Sequence, residues 1–293
     1  MTANGTLVRL PCVDDESTAE AARSALWIDR GRAAELGRSA LEIVQARGYE
    51  HPPGRWIDLS GPIERSLAAR RSLPPEAPLP EPPGGRFQQT TVQVRNETTF
   101  EAARRLVDDG RRTVALNFAN GLHPGGGFLN GARAQEEVLC RSSGLFDTLQ
   151  GDPMYQAHAQ RPLPDSSAWS IYSPDVPVFR DDAGAFLDAP WLLSFITCAA
   201  PYAPTVGQPE SGDLLAERIP RILEIAHCFG FEALVLGAWG CGAFENDPVR
   251  TACDFRTALE GPFAGCFREV VFAIVDWSPE RRILGPFRDA FAP

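Results

Sequence analysis

The feature that most constrains this chain is an alternation running from residue 89 to residue 275, in which short apolar stretches exchange with stretches of helical spacing. Residues 89–94, 113–118, 169–172, 192–198, 233–236 and 269–275 read as strands. Residues 99–109, 135–150, 212–229 and 248–259 read as helices. The run TVALNF (residues 113–118) is apolar and rich in β-formers, as a strand buried on both faces should be. Strands separated by helices close best as a sheet covered on both faces, so an α/β fold is expected, a three-layer α/β/α sandwich. With 293 residues, 44% of them hydrophobic, the chain can bury a sizeable core in one large domain or two small ones.

The first 85 residues read differently. Residues 33–47 place Leu36, Ala40, Ile43 and Val44 at helical spacing, and residues 61–72 form a weaker helix candidate. Residues 74–85 (PPEAPLPEPPGG) are too stiff and too poor in donors for a helix or a central strand. They serve either as a linker or as a surface crossing within one globule. The expected organisation is therefore an N-terminal helical extension with a proline-rich connector, residues 1–85, packed on a catalytic unit of residues 86–293. No internal repeat is visible.

Several function classes recede on composition. No apolar run approaches the roughly 20 residues that span a bilayer, and residues 1–13 lack a long apolar core or a basic start, so the cytoplasm is expected and no membrane partner. Seven cysteines without a CxxC pair fit reduced thiols. A formal charge of −10 argues against a surface that tracks nucleic acid, so no stable nucleic-acid partner is expected. All 28 basic residues are arginine. A charged phosphate contact must then be an arginine, and Schiff-base chemistry has no lysine to use.

The chemistry concentrates in residues 117–137, NFANGLHPGGGFLNGARAQEE. Asn120 follows the buried strand and would stand at its carboxyl end, where open α/β sheets bind ligands. Gly125, Gly126 and Gly127 permit positive φ and would let bare N–H groups face an anion, a phosphate or diphosphate. Gln135, Glu136 and Glu137 open the next helix, where the dipole favours negative charge. A glycine triplet can also be a plain turn and first-turn acids plain caps. Their conjunction instead suits two carboxylates that divide acid and base roles, since proximity and burial raise the pKa of one.

A second glycine loop, GAWGCG (residues 237–242), again lies between a buried strand and a helix, an arrangement that cradles phosphates and also serves ordinary strand-to-helix turns. Cys241 lacks an identifiable histidine to make it a thiolate. Histidines 51, 123, 158 and 227 are scattered, and the aspartates at 181, 182 and 247 form no calcium loop, so neither metal nor cofactor is expected. Ser142 and Ser143 lack a nucleophile elbow and are expected to bond the backbone of their own helix. Asn96, Glu97 and Thr98 read as a helix cap.

The spacing GGG, seven residues, then QEE resembles the signature of the bacterial-type poly(ADP-ribose) glycohydrolases. The similarity extends through CRSSGLFDTL (residues 140–149), IYSPDVPVFRDD (residues 171–182) and LVLGAWGCGAFENDP (residues 234–248). It implies a macrodomain-like form of the sandwich with a mixed sheet, poly(ADP-ribose) or ADP-ribosylated macromolecules as substrate, and ADP-ribose as product. By this resemblance Glu137 is the general acid and base, Glu136 orients the ribose hydroxyls and raises its neighbour's pKa, and Asn120 bonds the same ribose. Gln135 belongs to the same motif. Gly237, Gly240, Cys241 and Gly242 would form the second jaw of a diphosphate clamp, with Phe244 as an apolar wall, while Trp239 and Glu97 are candidate contacts, Glu97 toward the adenine. Cleavage mainly from the chain end is implied. The rivals are a binding-only ADP-ribose reader and a hydrolase of mono-ADP-ribosylated protein or nucleic acid.

Overall fold

The computed structural model describes residues 5–83 and 87–293; the expected boundary at 85/86 and the end of the proline-rich connector lie outside the described residues. In chain order the elements are β1 (Thr6–Arg9), α1 (Glu16–Leu26), α2 (Arg30–Ala46), β2 (Gly48–Glu50), β3 (Trp56–Asp58), α3 (Ser60–Ala69), β4 (Arg71–Leu73), β5 (Gln89–Arg95), α4 (Thr99–Asp108), β6 (Thr113–Ala119), α5 (Gln135–Ser142), α6 (Leu145–Leu149), α7 (Pro153–Ala159), β7 (Ser170–Arg180), β8 (Phe186–Ala199), α8 (Ala203–Val206), α9 (Glu210–Cys228), β9 (Ala233–Leu236), α10 (Pro248–Glu260), β10 (Glu269–Ala273) and α11 (Leu284–Ala290).

Eight strands form one mixed sheet in the order β1-β5-β10-β9-β6-β8-β7-β4, and β2 and β3 pair separately. The run from β1 to β8 is parallel, while β7 and β4 join antiparallel. Side chains of each strand alternate between two cores. Val114, Leu234 and Phe272 meet Ile219 and Ile222 of α9 and Phe255 of α10. Their neighbours Ala115, Val235 and Val271 meet Phe100 of α4 and Leu139 of α5. Each fully buried Leu, Ile or Phe contributes roughly 1.5–3 kcal/mol to this packing. A third cluster joins Ala40, Tyr49 and Ile63 to Phe179 of β7.

The N-terminal segment carries more than helices. Its β1 and β4 occupy the two edges of the large sheet. Residues 33–47 belong to α2, as the periodicity indicates, but residues 61–72 divide into α3 and β4.

Two further expectations change. The single helix over residues 135–150 breaks at Ser143, which is extended (φ −146) and forms an isolated bridge with Val178. The strands expected over 169–172 and 192–198 are longer; β7 passes Pro174 at a register shift between Ser173 and Val176, while Pro177 pairs with Leu192 beyond the stretch where β4 pairs with β7. No described helix is long and apolar enough to cross a membrane.

Candidate active site

The carboxyl ends of β5, β6, β9 and β10 open onto one cleft of about 330 Å³. At its floor stands the first turn of α5. Glu136 is almost completely buried, with Oε2 accepting from the Asn120 N–H (2.8 Å) and Oε1 from Asn117 Nδ2 (3.3 Å). Burial raises its pKa to about 8; the Asn120 N–H acts against this, the neighbouring Glu137 adds to it, and the Asn117 amide and Gly125 N–H again oppose it. The burial that favours a held proton therefore acts on Glu136 itself. Glu137 accepts the Gly127 N–H at Oε1 (3.0 Å), while its Oε2 is buried without a partner among the described residues.

The first glycine loop is built for these carboxylates. Gly125 and Gly126 have positive φ (71° and 58°), but Gly127 does not (φ −103°). A Cβ on Gly126 would lie 2.3 Å from Glu137 Oε1 and 3.0 Å from Glu136 Oε2, so only glycine fits. The expected bare N–H groups are occupied: Gly126 donates to the His123 carbonyl and Gly127 to Glu137. None of the three glycines lines the cleft.

Asn120 and Gln135 are both at the cleft. The Asn120 Oδ1 accepts from the N–H groups of Leu122 and His123, which folds the loop back and leaves its Nδ2 for a ligand. Gln135 has its amide engaged with β6, accepting from the Phe118 N–H (2.9 Å) and donating to the Leu116 carbonyl (2.8 Å). This pair of bonds sets α5 in register on the strand, so the expected substrate contact is occupied by main chain.

The second glycine loop supplies the facing wall through Trp239, Gly240, Gly242, Ala243 and Phe244. Gly240 requires its positive φ of 78°, and Gly242 has open space where a Cβ would stand. Two expected members fall outside the lining. Gly237 is a packing glycine, with the Phe118 ring and the Ala273 carbonyl within 2.7 Å of a Cβ position. Cys241 is buried, with its thiol pushed up to about 12 by desolvation, which disfavours the thiolate. Trp239 is itself fully buried and donates from Nε1 to the Cys198 carbonyl, and Phe244 packs edge-on against Tyr202.

At the far end Thr98 caps α4 in a capping box with Glu101. Glu97 faces the cleft, but both its oxygens are held by Arg105 (2.8 Å each) and Oε1 also by Arg95 (3.1 Å). Asn96, just past β5, exchanges bonds with Asp276 in the segment that follows β10, and reaches Asp14 as well. Ser143 bonds its own helix at the Leu139 carbonyl, whereas Ser142 bonds the Asp181 carbonyl across a turn.

Sequence reasoning assigned no role to several wall residues. Arg133 lines the mouth, donates to the Ile28 carbonyl and lies over Trp27. Asp182 accepts from Thr98 Oγ1 (2.6 Å), with burial as the main cause raising its carboxyl to about 7. Leu26 and half-exposed Trp277 complete the rim. Asp182 lies in a segment that carries the resemblance, but its place at the cleft depends on β7 folding back over α5. Among the described residues no group of three or more His, Cys, Asp or Glu side chains could hold a metal ion.

A family model described as the catalytic domain of microbial-type PARG matches residues 37–181, a span that crosses the connector. The chain is similar to the poly(ADP-ribose) glycohydrolase (PARG) of Thermomonospora curvata, with 38% identity, a TM-score of 0.83, and coverage of 89% of this chain and 99% of that one. The same Thermomonospora protein bound to the inhibitor ADP-HPD matches at 38% identity and TM-score 0.80, over 88% and 99% of the two chains. The Deinococcus radiodurans PARG in complex with ADP-ribose matches at 43% identity and TM-score 0.72, over 78% and 97%. No curated protein matches. With its QEE carboxylates at the floor of the cleft and this degree of similarity, the chain belongs to the microbial-type poly(ADP-ribose) glycohydrolase family.

Proposed function

We propose that the chain hydrolyses the ribose–ribose O-glycosidic bond of poly(ADP-ribose), mainly from the chain end, and releases ADP-ribose. The carrying observation is the buried Glu136/Glu137 pair at the floor of a cleft suited to one nucleotide-sized unit. Departure of a sugar oxygen from C1 leaves oxocarbenium character on the ribose, which calls for a proton and a nearby negative charge. The pair holds both. Ribose hydroxyls bonding Glu136 shift its proton to Glu137, which passes it to the leaving oxygen while anionic Glu136 faces the cation. Water then attacks C1 and returns a proton to Glu137.

In this reading Asn120 Nδ2 bonds the ribose, and the second glycine loop holds the diphosphate with N–H groups of Gly242 and Ala243 that take no internal partner among the described residues. The first loop holds the carboxylates. Residues 86–293 carry the catalysis as a macrodomain-like sandwich, and the N-terminal segment walls the mouth through Leu26. Seven cysteines without a CxxC pair support a reducing, cytoplasmic compartment.

Glu137→Gln keeps the shape and removes the acid. It should lower turnover on defined polymer by roughly 10²-fold or more, with ADP-ribose affinity within about threefold. Near wild-type turnover would remove Glu137 from the mechanism. In the wild-type time course, monomeric ADP-ribose should dominate early; medium-length oligomers at low conversion would mean internal cleavage.

A further inference from the structure

Four residues after Glu137 on the same helix stands Arg141, fully buried, and none of its three guanidinium nitrogens has a hydrogen-bond partner among the described residues. An unpaired buried guanidinium is strongly unfavourable, and an apolar side chain of similar volume would fill the space with less penalty. Its surroundings suggest why it is there. Burial lowers its pKa, the carboxylates of Asp182 and Glu137 oppose that, and Arg133 adds to it. Glu137 has the complementary gap, a buried Oε2 without a donor. Spacing of i, i+4 stacks the two side chains on one helix face.

We propose that Arg141 is a positioning residue for the reaction: one turn after Glu137 on α5 and within electrostatic reach of both Glu137 and Asp182, its guanidinium keeps one negative charge on the Glu136/Glu137 pair. This rests on the glycohydrolase reading above. Two adjacent buried carboxylates with no cation take up protons until both are neutral, and a neutral pair offers nothing to an oxocarbenium ion. Asp182 is the second anion acting on the arginine, and it is itself anchored by Thr98 Oγ1. The other groups facing this network are Asp181 beside Asp182, Glu101 of α4, Arg133 of the loop before α5, and Tyr155 of α7, whose buried hydroxyl has no partner and lies near Glu136. The anions outnumber the cations, so removing Arg141 raises the proton affinity of the pair.

The test uses the full chain with Arg141→Met, Arg141→Lys and Asp182→Asn, measuring kcat and KM against pH, ADP-ribose affinity, and Tm against pH. Arg141→Met should move the acid limb of kcat upward by about one pH unit or more, costing roughly tenfold in kcat on that limb. ADP-ribose affinity should stay within about threefold, and Tm should hold or rise. Arg141→Lys should restore the limb. Asp182→Asn, which frees the guanidinium from its second anion, should move it downward, and this arm decides the matter if the Met variant does not fold. Limbs at the wild-type pH in all folded variants overturn the proposal, as does a Met variant that loses ADP-ribose binding and kcat together with no shift. An inactive wild type would instead sink the glycohydrolase reading. In that event the pH dependence of Tm, displaced upward in Arg141→Met or unmoved, still decides Arg141.

Discussion

Gly126→Ala is the most informative single perturbation of the floor. Its φ of 58° places an alanine in the left-handed region, at a strain of roughly 1–2 kcal/mol. The larger effect is steric. At 2.3 Å from Glu137 Oε1 the new methyl group cannot coexist with that carboxylate in place, and at 3.0 Å from Glu136 Oε2 it crowds the other. Glu137 must swing away and release the Gly127 N–H, losing a charge-assisted hydrogen bond of about 1.5–3 kcal/mol. Displacing a reacting group by about an ångström lowers turnover by roughly 10²-fold. Tm should fall by about 2–8 °C from the strain alone. Gly125→Ala is the control: its φ is also positive (71°), but its methyl group would meet the Phe128 and Phe146 rings at 3.0 Å rather than a carboxylate. Calorimetry with steady-state kinetics on defined polymer would therefore show Tm losses in both variants, the larger in Gly126→Ala from the lost hydrogen bond, and a much larger kcat loss for Gly126→Ala. Equal kcat losses, or a Gly126→Ala enzyme within about threefold of wild type, would refute the claim that this glycine exists to admit the carboxylates.

Glu136, raised from 4.5 to about 8 in the folded protein, gives a stability contribution present below pH 4.5 and lost as pH rises toward 8. Asp182 acts with the same sign between 3.8 and about 7. Tm should fall as pH rises through 5–8, and Glu136→Gln should flatten the slope; equal slopes would remove Glu136 as its source. Asn96→Ala removes the bonds to Asp14 and to Asp276 in the segment that follows β10, so stability should drop by about 2–3 kcal/mol, with weaker ADP-ribose binding by calorimetry. Activity should survive EDTA, and loss restored by a divalent ion would contradict the metal-free mechanism.

The parts legible in the sequence are those whose chemistry is local. Asn120, the glycines, Glu136 and Glu137 lie within one stretch, so strand, loop and helix start could be read together. Its finer workings were hidden because side chains compete with ligands for the same donors. The Gly127 N–H goes to Glu137, and the Gln135 amide goes to β6, which residue types alone do not reveal. The break at Ser143 was invisible for a related reason: α5 is buried on nearly every side from Glu136 to Ser142, so it has no polar stripe to mark its end.

By itself the sequence determined the alternation that builds the sheet, the end of β6 as the candidate site, and the adjacent carboxylate pair that stands there, because period and adjacency are properties of neighbouring residues. Only the tertiary structure decided that β1 and β4 take the two edges, that Asp182 and Trp277 wall the same cleft, and that Arg141 of α5 is buried with no hydrogen-bond partner among the described residues. Those facts depend on contacts between residues far apart in the chain, and burial, which sets the pKa of Glu136 and the cost of Arg141, exists only once the layers have closed.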